Sequence, residues 1–107
     1  MIARVRELLS FADLVVDLGE RTATREGQTV ALTRLEFEIL VTLLRHPGRV
    51  FTREEILDSV WGGPWATQRA VDTCVVGLRK KIDAPFEVPL LHTIRGVGFS
   101  LRRPRKA

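Results

Sequence analysis

The spacing of apolar residues changes twice along the chain. After residue 10 come short β-prone runs, "FADLVVDL", "RTAT", "REGQ" and "TVAL", and Glu26-Gly27 between two of them is typical of a hairpin turn. We therefore expect a small antiparallel sheet. Ahead of it, apolar residues at 2, 5, 8 and 9 follow a nearly helical period. We interpret residues 1–9 as a linker or as the end of a preceding helix.

Two helix starts are marked by complete capping boxes, in which a threonine oxygen accepts from the N3 amide and a glutamate accepts from the N-cap amide. They are Thr33-x-x-Glu36 and Thr52-x-x-Glu55, 19 residues apart. A hydrophobic staple flanks each box: Leu32 with Phe37, and Phe51 with Ile56.

Helical spacing of apolar residues predicts three helices with one core-facing stripe each. The first stripe ends at His46-Pro47-Gly48 and comprises Leu35, Ile39, Leu40, Leu43 and Leu44. The second ends at Gly62-Gly63-Pro64 and comprises Ile56, Leu57, Val60 and Trp61. The third runs from about residue 67 to 82, before Pro85, and comprises Val71, Val75, Leu78 and Ile82.

A β-type alternation returns at the C-terminal end. Leu91, Thr93 and Ile94 precede a turn supplied by glycines 96 and 98, and the same pattern resumes at Val97, Phe99 and Leu101. The predicted order is therefore a small antiparallel sheet, a three-helix bundle and a C-terminal hairpin. We expect one α+β domain over residues 10–102, followed by a basic tail at 103–107.

Charge is distributed unevenly within a net charge of +4. Residues 1–68 hold 8 Lys/Arg and 10 Asp/Glu, whereas residues 69–107 hold 9 and 3. A basic C-terminal third on a slightly acidic body suggests a face directed at a polyanion. The alternative is an ordinary solvated surface, because 4 of those 9 cations belong to residues 102–106.

The sequence lacks the motifs that are typical of other functional classes. Cys74 is the single cysteine, so no internal disulfide or cysteine-based zinc cage can form, and we expect it to be a small, partly buried apolar residue. Neither His46 nor His92 has a neighbour suited to a base–nucleophile pair, and no phosphate-binding glycine loop opens a helix. We predict a non-enzymatic, soluble, cytoplasmic domain without metal, cofactor or membrane span.

The third helix and the hairpin together suggest double-stranded DNA as the partner. When its apolar stripe is buried, the helix projects a basic face that fits the major groove, with Arg79 at its margin. That face comprises Arg69, Thr73, Val76, Gly77 and Lys80. The hairpin tip, Arg95-Gly96, is placed to send a guanidinium into the adjacent minor groove. We assign mainly phosphate to Arg69, Arg79 and Lys80, and bases to Thr73 and Val76.

The runs "LTRLEFEILVTLLRHPGRVFTREEILDSVWG", "RAVDTCVVGLRKKI" and "LLHTIRGVGFSL" resemble the winged-helix output domain of OmpR/PhoB-type bacterial response regulators, over residues 10–101. The resemblance implies that the third helix is a recognition helix and that the hairpin is a wing. It also implies that "IARVRELL" ends a receiver domain and continues as a linker.

The same resemblance implies further contacts. Thr93 joins Arg95 and Gly96 in the wing, and the DNA backbone is approached by Thr52, Arg53 and Trp61, the last mainly a core residue. RNA polymerase would contact the loop that holds Gly63, Pro64 and Trp65, although Trp65 folding back onto the core is an equal alternative. Other implied partners are the parent protein's receiver domain and a second copy, head-to-tail on direct repeats.

The run "CVVG" at 74–77 departs from the family, whose members often carry histidine at the first position and polar residues at the last two. We favour a functional interpretation, in which Val76 contacts a thymine methyl and Gly77 lets the backbone approach DNA. Gly77 would cost about 1 kcal/mol of helix stability relative to alanine. The alternatives are weak DNA binding and a winged helix acting chiefly as a protein-interaction module. A separate alternative concerns the parent protein, which would then be an activator without a phosphorylated receiver.

Overall fold

The computed structural model describes residues 7–63 and 66–103. The expectations for residues 1–6, Pro64, Trp65 and 104–107 lie outside these described residues. Among the described residues, no helix has both the length and the apolar character required to cross a membrane.

The N-terminal sheet has four antiparallel strands in chain order: β1 (Leu8–Phe11), β2 (Leu14–Asp17), β3 (Thr22–Arg25) and β4 (Gln28–Val30). The predicted Glu26-Gly27 turn is confirmed, since both residues adopt the left-handed conformation, with φ of 51° and 75°. The helical interpretation of Leu8 and Leu9 is wrong, because both pair with β2 and begin the sheet. Their apolar spacing reflects two adjacent strand positions and not a helical face.

Helix α1 (Arg34–Leu44) begins at the predicted capping box. The Thr33 Oγ1 accepts from the Glu36 amide at 3.2 Å, and the Glu36 Oε1 accepts from the Thr33 amide at 3.0 Å. The second box is confirmed in the same form, at 3.1 Å and 3.0 Å between Thr52 and Glu55. These interactions join residues three positions apart, which is why the sequence predicts them well.

Helix α2 (Arg53–Ile56) continues directly into a π-helical segment (Leu57–Trp61), which ends at Gly62 with φ of 75°. Helix α3 (Gln68–Ile82) starts at the N-cap Thr67. The predicted stripe of α3 is confirmed, because all four of its residues are at most 1% exposed: Val71, Val75, Leu78 and Ile82.

A second sheet combines a short strand, β5 (Phe51–Thr52), with β6 (Leu91–Ile94) and β7 (Gly98–Leu101), in the order β5-β7-β6. The assignment of Gly98 to the turn is wrong. Gly98 lies in β7 opposite Thr52 and Ile94, and a β-carbon there would overlap the Phe51 carbonyl oxygen. Glycine is therefore required for β5 to approach the hairpin.

A fully buried arginine joins the two ends of the fold. Arg25, at the end of β3, donates from Nη1 to Asp83 Oδ1 at 2.9 Å and to the Ile82 carbonyl, and from Nη2 to the Val88 carbonyl. Its guanidinium carbon lies 5.0 Å from the centre of the Phe86 ring. The N-terminal sheet is thereby attached to the end of α3 and to the segment that follows.

Asp83 completes this connection at the start of the wing. Its two carboxylate oxygens accept from the amides of Leu90 and Leu91, each at 3.0 Å. The one side chain therefore holds both the end of α3 and the entry to β6. Within residues 7–63 and 66–103, no buried side-chain nitrogen or oxygen lacks a hydrogen-bond partner, as expected where desolvated polar groups are costly.

Candidate nucleic-acid interface

The outward face of α3 is an exposed strip with cations towards both ends. Arg69, Thr73, Val76 and Lys80 are all exposed, and the Val76 side chain is 50% accessible. Burial of the opposite stripe against α1 fixes which residues project, because positions three or four apart share a helix face. The structure therefore brings these four predicted residues onto one surface.

Gly77 does not belong to that surface in the way the sequence suggested. A β-carbon at Gly77 would overlap the Glu36 Oε2, so this position of α3 faces the start of α1. The expected outward direction is wrong for a side chain at this position, since the missing β-carbon makes room for the capping-box glutamate. Close approach of the partly exposed Gly77 backbone to DNA stays a prediction. The only hint in the sequence was a glycine within a predicted helix. Its neighbour in space, Glu36, lies 41 positions earlier, so the contact could not be predicted.

Glu36 is the centre of the contact between α1 and α3. Burial by itself would raise its pKa, but the hydrogen bond and charge of Lys81, together with the bonds from Thr33, outweigh it and hold the pKa below its ordinary value. The Lys81 Nζ lies 2.6 Å from Glu36 Oε1. Lys81 is thus engaged within the domain, unlike its neighbour Lys80 on the outward face.

Cys74 has the environment expected of it. It is partly buried and packs against the hydrophobic core. Burial and, to a lesser extent, the Glu36 carboxylate raise the pKa of its thiol, which disfavours the reactive thiolate.

The wing tip consists of Arg95, Gly96 and Val97 between β6 and β7. The Val97 amide donates to the Ile94 carbonyl at 2.9 Å, and Gly96 has φ of 76°, which favours glycine at this turn. All three tip residues are exposed. An open cleft of about 340 Å³ lies between this tip and the starts of α2 and α3, and its lining comprises Thr52, Arg53, Glu54, Gln68, Gly96 and Val97.

Arg79 joins α3 to β6 of the hairpin. Its Nε donates to the Leu91 carbonyl at 3.2 Å, and its Nη2 donates to Thr93 Oγ1 at 2.8 Å. A planar guanidinium can hold two acceptors in one fixed orientation, which an ammonium cannot. Arg79 and Thr93 thus contact each other, an arrangement that the sequence did not reveal because they lie 14 positions apart.

Arg53 is held in a similar way at the other side of α3. Its Nε donates to Asp72 Oδ1 at 2.6 Å, and its guanidinium lies 5.0 Å from the centre of the Phe99 ring. Thr52 beside it is occupied by the capping box, and Trp61 is partly buried against the core. The sequence analysis did not identify Asp72 as a functional residue. Its role in holding Arg53 is recognisable only when the two residues are seen in contact.

The free cations of this surface are Arg69, Lys80 and Arg95. Within residues 7–63 and 66–103 none of them has a carboxylate or carbonyl partner, whereas Arg53, Arg79 and Lys81 are each engaged inside the domain. Two of the free cations lie on α3 and one lies at the wing tip. They are available for phosphate oxygens or base edges.

A three-helix unit followed by a β-hairpin, with the third helix and the hairpin exposing unpaired cations, defines a winged helix-turn-helix domain. The family model described as "Transcriptional regulatory protein, C terminal" matches residues 27–101. The chain belongs to this family, the OmpR/PhoB-type effector domains of transcriptional regulators.

Individual relatives agree with this assignment. Transcriptional regulatory protein TrcR of Mycobacterium tuberculosis is 44% identical over 99 residues, covering 92% of this chain and 38% of TrcR. The response regulator DrrB of Thermotoga maritima, an OmpR/PhoB homolog, superimposes with a TM-score of 0.76 at 38% identity, over 88% of this chain and 43% of DrrB. The chain spans about two fifths of the length of the curated relatives it matches.

The DNA-binding domain of RstA from Klebsiella pneumoniae, solved in complex with the RstA box, has a TM-score of 0.76 and 29% identity. That comparison covers 89% of this chain and 96% of the RstA domain.

Proposed function

We propose that this domain binds promoter DNA and regulates transcription as the output domain of a two-component response regulator in the cytoplasm. The observation that carries the proposal is the placement of three unpaired cations, Arg69, Lys80 and Arg95, on α3 and the wing tip. Membership of the regulatory family and the DNA complex of the RstA domain support it. In this arrangement α3 enters the major groove and Arg95 enters the adjacent minor groove.

Different cations perform different tasks in the proposed complex. Arg69 and Lys80 neutralise phosphates on either side of the groove, and Arg95 contacts the narrow minor groove. Arg53 and Arg79 act chiefly by orienting their surroundings, because each is already bound to another element of the domain. Either keeps spare N–H groups for a phosphate, since a guanidinium has five donors.

We propose further partners, for which family membership is the support. The parent protein would supply a receiver domain, and two copies would bind head-to-tail on direct repeats. RNA polymerase would contact the loop from Gly62 to Ala66. A pulldown of polymerase with promoter-bound protein, compared between the unchanged chain and Gly63→Asp, tests the loop assignment: equal recovery would contradict it.

The DNA proposal is tested by fluorescence anisotropy on a duplex obtained by selection from a random library, measured at several salt concentrations. Affinity should fall steeply with salt, and Arg69→Ala and Lys80→Ala should each reduce the slope of log affinity against log salt by about 1. Arg95→Ala should weaken binding as well. Arg45→Ala removes an exposed cation at the end of α1 and serves as the control, with no expected change.

A second candidate is a protein-interaction module, which the exposed Val76 in the centre of α3 favours. Absence of any selected duplex at low salt, together with a direct complex with a receiver domain or polymerase, would replace DNA binding by this function.

A further inference from the structure

The centre of the exposed face of α3 offers no free hydrogen-bond donor. The Thr73 hydroxyl donates to the Arg69 carbonyl at 3.0 Å, one turn earlier in the same helix. Val76 has no polar atom, and the adjacent Gly77 faces Glu36 and not the outside. Base edges beneath this part of the helix therefore cannot receive a side-chain hydrogen bond from it in this conformation.

What this centre does present is apolar. Val76 is half exposed and lies three positions after Thr73, so that the two side chains are neighbours on one helix face. Because the Thr73 hydroxyl is turned back to the helix backbone, its γ-methyl is the remaining branch on an exposed residue. Thr73 and Val76 thus form a small patch of methyl groups, hereafter the methyl patch.

The positions of the cations indicate which surface covers the methyl patch. Arg69 precedes Thr73 by one turn and Lys80 follows Val76 by one turn, and both are unpaired and exposed. A polyanion that binds both cations lies directly over the patch between them. In the major groove, the apolar group available between phosphates is the C5-methyl of thymine, which distinguishes a T·A pair from the others.

We propose that the methyl patch, Thr73 and Val76, makes this domain select sites through thymine methyl groups in the major groove. The proposal rests on the DNA-binding function proposed above and names the base chemistry that the centre of α3 recognises. Arg69 and Lys80 contribute affinity for any sequence, and the methyl patch contributes the discrimination.

The experiment starts from the duplex selected by the unchanged domain and replaces single thymines with deoxyuridine, which removes only the C5-methyl. For the unchanged protein, replacement at one or two major-groove positions should weaken binding about threefold to fivefold, as expected for one buried methyl. With Val76→Ala or Thr73→Ser, the penalty at the contacted position should fall towards none. A deoxyuridine penalty that disappears when the protein methyl is removed indicates direct contact between the two methyl groups. A general loss of affinity would instead weaken binding to both duplexes equally.

Val88→Ala is the matched control. Val88 is 45% exposed, comparable to Val76, but lies in the segment between α3 and β6 and not on the helix face. For this variant, the ratio of the affinities for the thymine and deoxyuridine duplexes should equal that of the unchanged protein. Circular dichroism of each variant confirms that the helix content is retained.

Three results overturn the inference. If specific binding is retained but no single deoxyuridine changes affinity, the methyl patch does not select thymine, although the DNA-binding function stands. The same holds if the selected site lacks thymine between the phosphates bound by Arg69 and Lys80. Failure to bind any duplex at low salt would overturn the proposed function itself, and the inference with it.

Discussion

Replacing Arg25 with methionine should be among the most destabilising single changes in this domain. The Arg25 side chain is 0% exposed and is bonded to Asp83, whose side chain is 5% exposed. Methionine fills a similar length with apolar atoms but removes every donor. Asp83 would then be a buried carboxylate without its cation, and the carbonyls of Ile82 and Val88 would lose their partner.

The size of the effect follows from this burial. Removing one partner of a buried ion pair costs about 3–5 kcal/mol, because the remaining charge stays desolvated. Asp83 keeps the amides of Leu90 and Leu91, so we expect a value near the lower end, about 3 kcal/mol. For a domain of this size, the melting temperature should fall by about 12–24 °C.

Arg21→Met is the matched control. Arg21 immediately precedes β3, the strand that ends with Arg25, pairs with Glu38 at 2.7 Å and lies 4.5 Å from the Phe37 ring centre. It has the same kinds of contacts as Arg25 but is 50% exposed. Solvent-screened pairs contribute at most about 1 kcal/mol, so urea unfolding followed by circular dichroism should show a small shift for this variant.

A decisive check is the combination of Arg25→Met with Asp83→Asn. Once the cation is absent, removing the charge of Asp83 should cost less than it costs in the unchanged protein. If Arg25→Met lowers stability no more than Arg21→Met, or if the two changes are additive, the buried pair does not attach the N-terminal sheet as inferred.

Three further predictions concern the hairpin, its attachment to α3, and the start of α1. Gly98→Ala should destabilise the domain by about 1–3 kcal/mol or more, because a β-carbon overlaps the Phe51 carbonyl; a melting temperature like that of the unchanged protein would contradict the β5–β7 packing. Arg79→Lys should speed amide hydrogen exchange in the wing, since lysine cannot hold Leu91 and Thr93 together; unchanged exchange would show that the link does not restrain it. The pKa of Glu36 lies below 4.5 in the folded state, so its carboxylate stabilises folding above that pH, and this contribution is lost as pH falls through the lowered value. Urea unfolding of Glu36→Gln should therefore show a weaker loss of stability in acid, and identical pH profiles would exclude this role.

Local interactions in this protein were predictable from sequence because their partners lie within one helical turn. The capping boxes of Thr33 and Thr52 have this property, as do the Glu26-Gly27 turn and the buried stripe of α3. The exposed position of Arg95 at the wing tip follows equally from two short strands and a glycine between them. The choice of fold class required no more than these elements in order.

Contacts between elements were decided by the tertiary structure. Arg25 resembles any charged residue at a strand end, yet its side chain is 0% exposed and donates to partners 57 to 63 positions away. Gly98 resembles a turn glycine until β5 is placed beside it, and Gly77 resembles part of a DNA-facing surface until Glu36 occupies the space above it. The bond from Arg79 to Thr93 likewise depends on packing β6 beside α3, and phosphate binding by Arg79 stays a prediction.

One physical reason explains why some features were predictable from sequence and others required the tertiary structure. Hydrogen-bonding patterns and apolar periodicity are local, so the sequence alone determined where α1, α2 and α3 begin and which stripe of α3 is buried. Whether a given cation is free or engaged depends on which distant atoms packing brings within about 3 Å. The tertiary structure therefore decided that Arg69, Lys80 and Arg95 remain unpaired in the described chain, and that the hydroxyl of Thr73 is bonded within α3 beside the exposed Val76.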